Sequence, residues 1–440
     1  MSAFASLVDD RAGEGVFRVD RAVYTDPEVF AAEIETIFEG NWIYLAHESQ
    51  IPDPGDYLAV WMGRQPVIVN RRADGSIGAM LNACAHRGAR LTPTRQGKAT
   101  TFVCRYHGWC YDTFGACTKI KDERSSALPP GASRADFALK TVPQLESYKG
   151  FIFGSLNADA PPLAEHLGEA LPVIDLLADQ SPEGMEVVPG QASYVVDGNW
   201  KLQTENGVDG YHVSTVHRNF VTTIQRRDLN SGATGAKRTD NSRFMGKTRN
   251  GCYDLGNGHS LIWTERGMPE SAPLWEARDR LLPLVGESKW AWMCTRGRNL
   301  LLFPNVFLMD QSSTQIRVIR PISASRTEVT VYCIAPKGES RTARAARLSK
   351  FRDFFLMSGL ATPDDSAALE DTQAGCEGRL DRWNDLSRGF AAMQEGGDDA
   401  AIDLGIRPVS TSPRWDHETL YHGQYRQWRL LMARAGRIAA

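Results

Sequence analysis

The chain has 440 residues, 50 basic and 53 acidic side chains (net charge −3), 42% hydrophobic and 23% charged residues. Those fractions exclude disorder, collagen and coiled coil as the main architecture, and near-neutrality gives no footing for a polyanionic partner. No apolar run approaches the ~18 residues of a membrane helix, the first residues carry acids where a secretory leader has bases, and eight cysteines are thin for a disulfide framework, so a reducing cytoplasm is expected.

In chain order, Asp26 and Pro27 read as the N-cap and first turn of a helix. Phe30, Ile34, Ile37 and Phe38 recur on one face of it, giving an N-terminal helical segment over 1–40. From about Asp56 the texture turns to short β-like runs separated by turn signals, a small β domain over 41–157. Leu163, Leu167, Leu171, Ile174 and Leu177 form an amphipathic helical pattern, with a kink or break expected at Pro172. Past 299, three strand-like runs (LLLFPNVFLM, QIRVIRPI, RTEVTVYCIA) predict an antiparallel meander. Helical pattern returns near 341, stops near Gly359 and restarts after Thr362, Pro363 and Asp364, with Leu369, Thr372, Cys376, Leu380 and Trp383 on one face. Residues 158–440 are therefore read as one mixed α+β domain, large enough to enclose a pocket.

Cys84-x-His86 and Cys104-x2-His107 place two mixed ligand pairs at the ends of strand-like runs, each followed by a glycine, Gly88 or Gly108. Zinc sites usually group like ligands, two cysteines and then two histidines. A Rieske [2Fe–2S] centre needs the mixing, because each loop gives one thiolate to one iron and one imidazole to the other. The remaining cysteines lack paired spacing and read as small buried residues.

A second constellation, Asp209-x2-His212-x4-His217, suggests a 2-His-1-carboxylate site for non-haem Fe(II) with positions open for dioxygen and substrate. At ~100° per residue His212 and His217 lie ~140° apart on an ideal helix, so both reach one ion only across a break or a π-bulge. Gly207 and Gly210 loosen this segment. Asp209 is either the third ligand or an acceptor behind His212. A carboxylate of the pair Asp364 and Asp365, at the start of the helix beginning near residue 365, is the rival ligand, since a helix N-terminus favours an ionised carboxylate. The alternative is that both simply cap the helix.

A one-electron centre beside an oxygen-activating iron defines an oxygenase. A pure electron carrier explains the first constellation but neither the second nor the remaining length. A zinc-stabilised binding module explains neither the mixed spacing nor the His/Asp group.

On these motifs, and on stretches such as EGNWIYLAHESQIP, NACAHRGA, YHGW, GLATPDD and WNDLSRG, the chain resembles the large (α) subunits of Rieske ring-hydroxylating dioxygenases. It looks like their benzoate, toluate and 2-halobenzoate branch, with anthranilate dioxygenases nearby. The resemblance implies a Rieske β domain joined to a helix-grip (Bet v1-like, START-like) catalytic domain, with segment 1–40 packing on the latter. It implies that Cys84, His86, Cys104 and His107 hold the cluster, and that His212, His217 and Asp365 hold a mononuclear Fe(II). Asp209 matches the family's bridging aspartate, between a residue matching His107 of the neighbouring subunit and His212, and Asn206 matches an asparagine near the iron. It further implies a head-to-tail homotrimer, usually α3β3 with a small β subunit, an NADH-dependent flavin/iron–sulfur reductase, and cis-dihydroxylation of an aromatic carboxylate with O2. The chain departs from the branch at Arg218, read as a surface or interface charge rather than a substrate-carboxylate partner, and in a shorter 120–137 stretch.

Overall fold

The computed structural model describes residues 4–123, 128, 130–234, 240, 248–378 and 380–435; part of the shorter 120–137 stretch lies outside them. The chain divides into two compact units, Phe38–Leu163 and a second made of Met1–Ile37 with Ala164–Ala440.

The unit Phe38–Leu163 is built of three small antiparallel sheets. One runs Ile77–Leu81, Gln65–Arg71, Asp56–Met62 and Gln96–Lys98. The second holds Cys117–Lys119, Cys110–Asp112 and Thr101–Val103, and the third Gln144–Tyr148, Phe151–Ser155 and Ile43–His47. Ile43–His47 and Phe151–Ser155 are buried at every position, while Gln96–Lys98 is exposed throughout. Tyr57, Ile68, Met80, Leu91, Phe102, Trp109 and Tyr111 form a core that also takes in Cys84 and Cys104.

The larger unit is organised by a ten-stranded antiparallel sheet. Its centre is a meander of His259–Glu265, Arg296–Leu302, Val306–Asp310, Thr314–Ser323 and Arg326–Pro336. The run LLLFPNVFLM is two strands rather than one, because Pro304 and Asn305 make the turn between them. The C-terminal helix Leu420–Met432 packs on the strands Asn250–Gly256 and His259–Glu265. This mixed helix and antiparallel sheet is the expected α+β catalytic architecture.

Asp26 caps the helix Pro27–Glu33 by accepting from the Glu28 and Val29 amides, and the helix runs on as a π-turn over Ile34–Glu39. The break in the Leu163–Leu177 pattern falls at Gly168, whose φ of +45° ends Leu163–Leu167. Pro172 instead sits in the first turn of Leu171–Ala178, where its missing N–H costs nothing. The last long helix of the pattern spans Thr362–Cys376. It therefore starts before Asp364, its N-cap is Ala361 rather than either aspartate, and Leu380 and Trp383 lie beyond its end.

Two of the larger unit's helices are tied by a buried ion pair. Lys201 Nζ lies 2.6 Å from Glu33 Oε1, at 3% and 0% side-chain exposure. The indole N–H groups of Trp200 and Trp428 donate to the same carboxylate at 2.8 and 2.6 Å. Lys201→Met leaves Glu33 charged, buried and short of its counter-ion, a loss of about 3–5 kcal/mol. Chemical denaturation of this variant is expected to show that drop, and Glu33→Leu in the same chain is expected to recover part of it.

Candidate functional site

Two loops of the smaller unit repeat one design. The Cys84 amide donates to the Ala89 carbonyl and the Gly88 amide to the Cys84 carbonyl, at 2.9 and 2.8 Å. The Cys104 amide donates to Trp109 and the Gly108 amide to Cys104, both at 2.8 Å. Gly88 and Gly108 stand at φ +73° and +74°, a conformation that side chains disfavour. Both cysteines are buried, while His86 is exposed and His107 half-buried. The two imidazoles meet with ring centroids 4.6 Å apart, and His86 stacks on Trp109 at 4.8 Å. His107 Nδ1 is buried without a hydrogen-bond partner. Thiols inward and imidazoles outward suit a two-iron cluster with unlike ends.

Tyr111 was not visible as a site residue in the sequence. Its hydroxyl accepts from the Ala85 amide and lies 3.1 Å from Cys84 Sγ. Burial and that sulfur contact together hold the phenol protonated. A donor aimed at a thiolate is a general means of raising a cluster's potential.

In the larger unit, Trp200–Asn206 is helical, Val213–Val216 is a single turn, and Arg218–Ser231 is a helix. His212 and His217 are the two caps of that single turn. The break demanded by helix arithmetic is therefore real, and it is not a π-bulge. Gly207 and Gly210 permit it by close approach: a Cβ on either would collide with the Phe307 ring or with Trp415. Asp365, in the first turn of Thr362–Cys376, completes the group.

His212 Nε2, His217 Nε2 and Asp365 Oδ1 form a triangle with every side 3.3 Å. Three donors so close together could hold one metal ion between them. It is the one such group of three among the described residues. Asn206 Nδ2 donates to Asp365 Oδ1 at 3.2 Å. Asp364 is outside the triangle.

Asp209 Oδ2 lies 3.0 Å from His212 Nδ1, the ring nitrogen turned away from the triangle. Its other oxygen accepts from the Tyr211 amide at 2.6 Å. Asp209 thus stands behind His212 and outside the triangle. Burial opposes charge on His212, but Asp209 and Asp365 outweigh it and push the imidazole up to about 10. Burial likewise raises the Asp365 carboxyl, but His217, His212 and Arg317 bring it below its ordinary value. The pocket draws positive charge where a dication would sit.

The pocket around the triangle is lined by Val213, Phe354, Phe355 and Trp415, and by Asn299, Met309 and Arg317 from the sheet. These wall residues come from strands and helices far along the chain, and no motif marks them. Arg218 is exposed at the start of its helix and is not part of this lining.

Comparison with known proteins agrees with both centres. Residues 41–145 match the Rieske [2Fe–2S] domain, and 185–433 match the ring hydroxylating alpha subunit (catalytic domain). The chain is 45% identical to the toluate 1,2-dioxygenase subunit alpha of Pseudomonas putida over 98% of its length and 94% of that protein. It is 44% identical to the 2-halobenzoate 1,2-dioxygenase large subunit of Burkholderia cepacia, covering 98% and 92%. It is 43% identical to the anthranilate 1,2-dioxygenase large subunit of Acinetobacter baylyi, covering 97% and 91%. A naphthalene 1,2-dioxygenase structure with indole in its active site superposes with a TM-score of 0.82 at 28% identity, covering 97% of this chain and 94% of that one. With a Rieske domain, a non-haem iron domain and relatives of this closeness, the chain belongs to the Rieske ring-hydroxylating dioxygenase α subunits.

Proposed function

We propose that this chain is the terminal oxygenase subunit of an aromatic-carboxylate 1,2-dioxygenase, adding both atoms of O2 to one face of benzoate or a substituted benzoate. The observation that carries the chemistry is the 3.3 Å triangle of His212, His217 and Asp365. The three relatives named for toluate, 2-halobenzoate and anthranilate support the substrate class.

In this reading Cys84, Cys104, His86 and His107 hold the cluster, and His212, His217 and Asp365 hold the mononuclear iron. When bound, the two groups supply single electrons and open coordination positions for dioxygen. The chain's own side chains do the rest. Asp209 holds the Nδ1 proton of His212 and so presents Nε2 to the metal. Asn206 fixes the Asp365 oxygen that faces both imidazoles. Phe354, Phe355 and Trp415 keep water from the ring.

The reading places the electron domain at 41–157 and the catalytic domain at 158–440, with 1–40 belonging to the latter. Electrons come from NADH through a reductase in the cytoplasm; no helix among the described residues is long and apolar enough to cross a membrane. The assembly is a head-to-tail trimer, α3β3 where a small β subunit is present, with Asp209 linking the cluster of one subunit to the iron of the next.

Purified protein is expected to be brown, with a Rieske electron paramagnetic resonance signal on reduction. Incubated with reductase, NADH and a panel of benzoates, it is expected to yield carboxy-diols bearing both atoms of 18O2 by mass spectrometry. Products with one labelled atom would assign a monohydroxylase; a colourless, zinc-loaded protein would reject the oxygenase.

A further inference from the structure

Arg317 is a buried cation with no ion pair among the described residues. It lies on the strand Thr314–Ser323, is 5% exposed and lines the pocket of the His212, His217 and Asp365 triangle. Its Nε has no hydrogen-bond partner, and it forms no ion pair among the described residues. Two other buried arginines of the same unit pair with carboxylates: Arg298 lies 2.6 Å from Asp310 and Arg347 lies 2.9 Å from Glu339. A guanidinium taken out of water without a counter-ion is costly, so a ligand that returns an anion to it is favoured.

The sheet around Arg317 carries two further side chains with unpartnered polar atoms, Asn299 and Gln315. Asn299, Met309 and Gln315 stand directly across from one another on three adjacent strands. Arg317 follows Gln315 by two residues and so shares its face of the strand. Asn299 Oδ1 and both amide atoms of Gln315 are buried without partners. The nearest negative charge that acts on Arg317 is Asp365, which is already engaged by two imidazoles and, on the functional reading, by a metal. A dication held by His212, His217 and Asp365 would add to the positive charge of this pocket and so to its demand for a second anion.

We propose that Arg317 is the anchor for the substrate carboxylate, pairing with it through its guanidinium fork and so placing the ring carbons next to that carboxylate over the metal. The inference rests on the aromatic-carboxylate reading above. Arg218 is exposed, in keeping with its reading as a surface charge. A planar five-donor fork suits a carboxylate bidentately and is poorly replaced by lysine.

The test is calorimetric titration of the cluster-bearing, iron-loaded protein with benzoate and with its neutral counterpart benzamide. Charge-assisted hydrogen bonds of this kind correspond to a preference for benzoate of roughly 10- to 100-fold. Arg317→Gln is expected to erase the preference with iron per chain unchanged, and Arg317→Lys to keep a reduced one. A full preference retained in Arg317→Gln overturns the assignment. So does loss of mononuclear iron with the benzoate preference kept, since that makes Arg317 a support for Asp365. If Arg317→Gln does not fold, Arg317→Lys decides, and unaltered affinity for benzoate overturns it. Wild-type protein that hydroxylates no aromatic carboxylate rejects the functional reading itself. Wild-type protein that hydroxylates benzoate yet binds benzoate and benzamide alike rejects Arg317 alone.

Discussion

Asp365→Asn is expected to keep the brown Rieske chromophore and lose the mononuclear iron. The structure gives the reason in charge and distance. Asp365 Oδ1 is 3.3 Å from each imidazole Nε2, and it is the one carboxylate oxygen of the triangle. Asparagine preserves the shape and removes the charge, leaving two neutral nitrogens to hold a dication that must keep several positions open. Iron per chain is then expected to fall from roughly three to roughly two, the content of a [2Fe–2S] cluster. Product formation should drop by at least about 10³-fold, because a bound metal contributes several kcal/mol and each 1.36 kcal/mol is tenfold. His212→Ala and His217→Ala are expected to behave alike. Asp364→Asn is the control, since Asp364 lies one residue away but outside the triangle; it should retain iron and most of its activity. Equal iron loss in Asp364→Asn and Asp365→Asn, or loss only in the former, would reassign the ligand.

Asp209→Ala should separate metal binding from turnover. Asp209 touches His212 on Nδ1, away from the metal-facing nitrogen, so both metals are expected to stay largely in place. What is lost is the fixed proton on Nδ1 and the proposed connection to the neighbouring subunit's cluster. Removing such a supporting carboxylate typically costs 10–100-fold, and loss of the electron route adds to this. Coupled product formation is therefore expected to fall by more than about 100-fold. The defining measurement is stopped-flow reoxidation of the reduced cluster with substrate and O2 present, which should slow to the same degree as product formation. Normal reoxidation with lost product, or full turnover, rejects the link. The acids around Asp209 sharpen the expectation. Burial pushes Glu205 up to about 7 against the pull of Tyr425 and Tyr24, and burial with the Asp209 charge pushes Glu418 up to about 7. Asp209 thus sits among groups that titrate near neutrality, and its own charge matters to them.

What the amino-acid sequence revealed was what is local in it. Both cysteine–histidine pairs and the Asp209, His212 and His217 group are short-range patterns whose spacing carries chemistry. The geometric objection to His212 and His217 on one helix was legible, and so was its remedy, because Gly207 and Gly210 sit where the chain breaks. Asp365 was separable from Asp364 only through the family resemblance, since both precede the same apolar run. Arg317, Asn299 and Met309 were hidden for a different reason. Each sits in a strand whose alternation does not say which face will line the pocket until the sheet closes. Tyr111 reaches Cys84 from 27 positions along the chain, beyond any motif. The misplaced break at Pro172 came from treating proline as a breaker where it was a first-turn residue, while Gly168, which bends the chain, drew no notice.

His212 and His217 cap one turn only four residues long, Val213–Val216. That turn works as a caliper. One added residue would swing His217 about 100° round the axis and advance it about 1.5 Å, taking its nitrogen out of the triangle. The metal-facing donors all ride on helical segments, while Asn299, Met309 and Arg317 ride on the sheet. The pocket is therefore divided by architecture. Its helical side tolerates no change of length, and its sheet side can exchange side chains position by position. New substrates can be reached from one side without disturbing what the other must hold still.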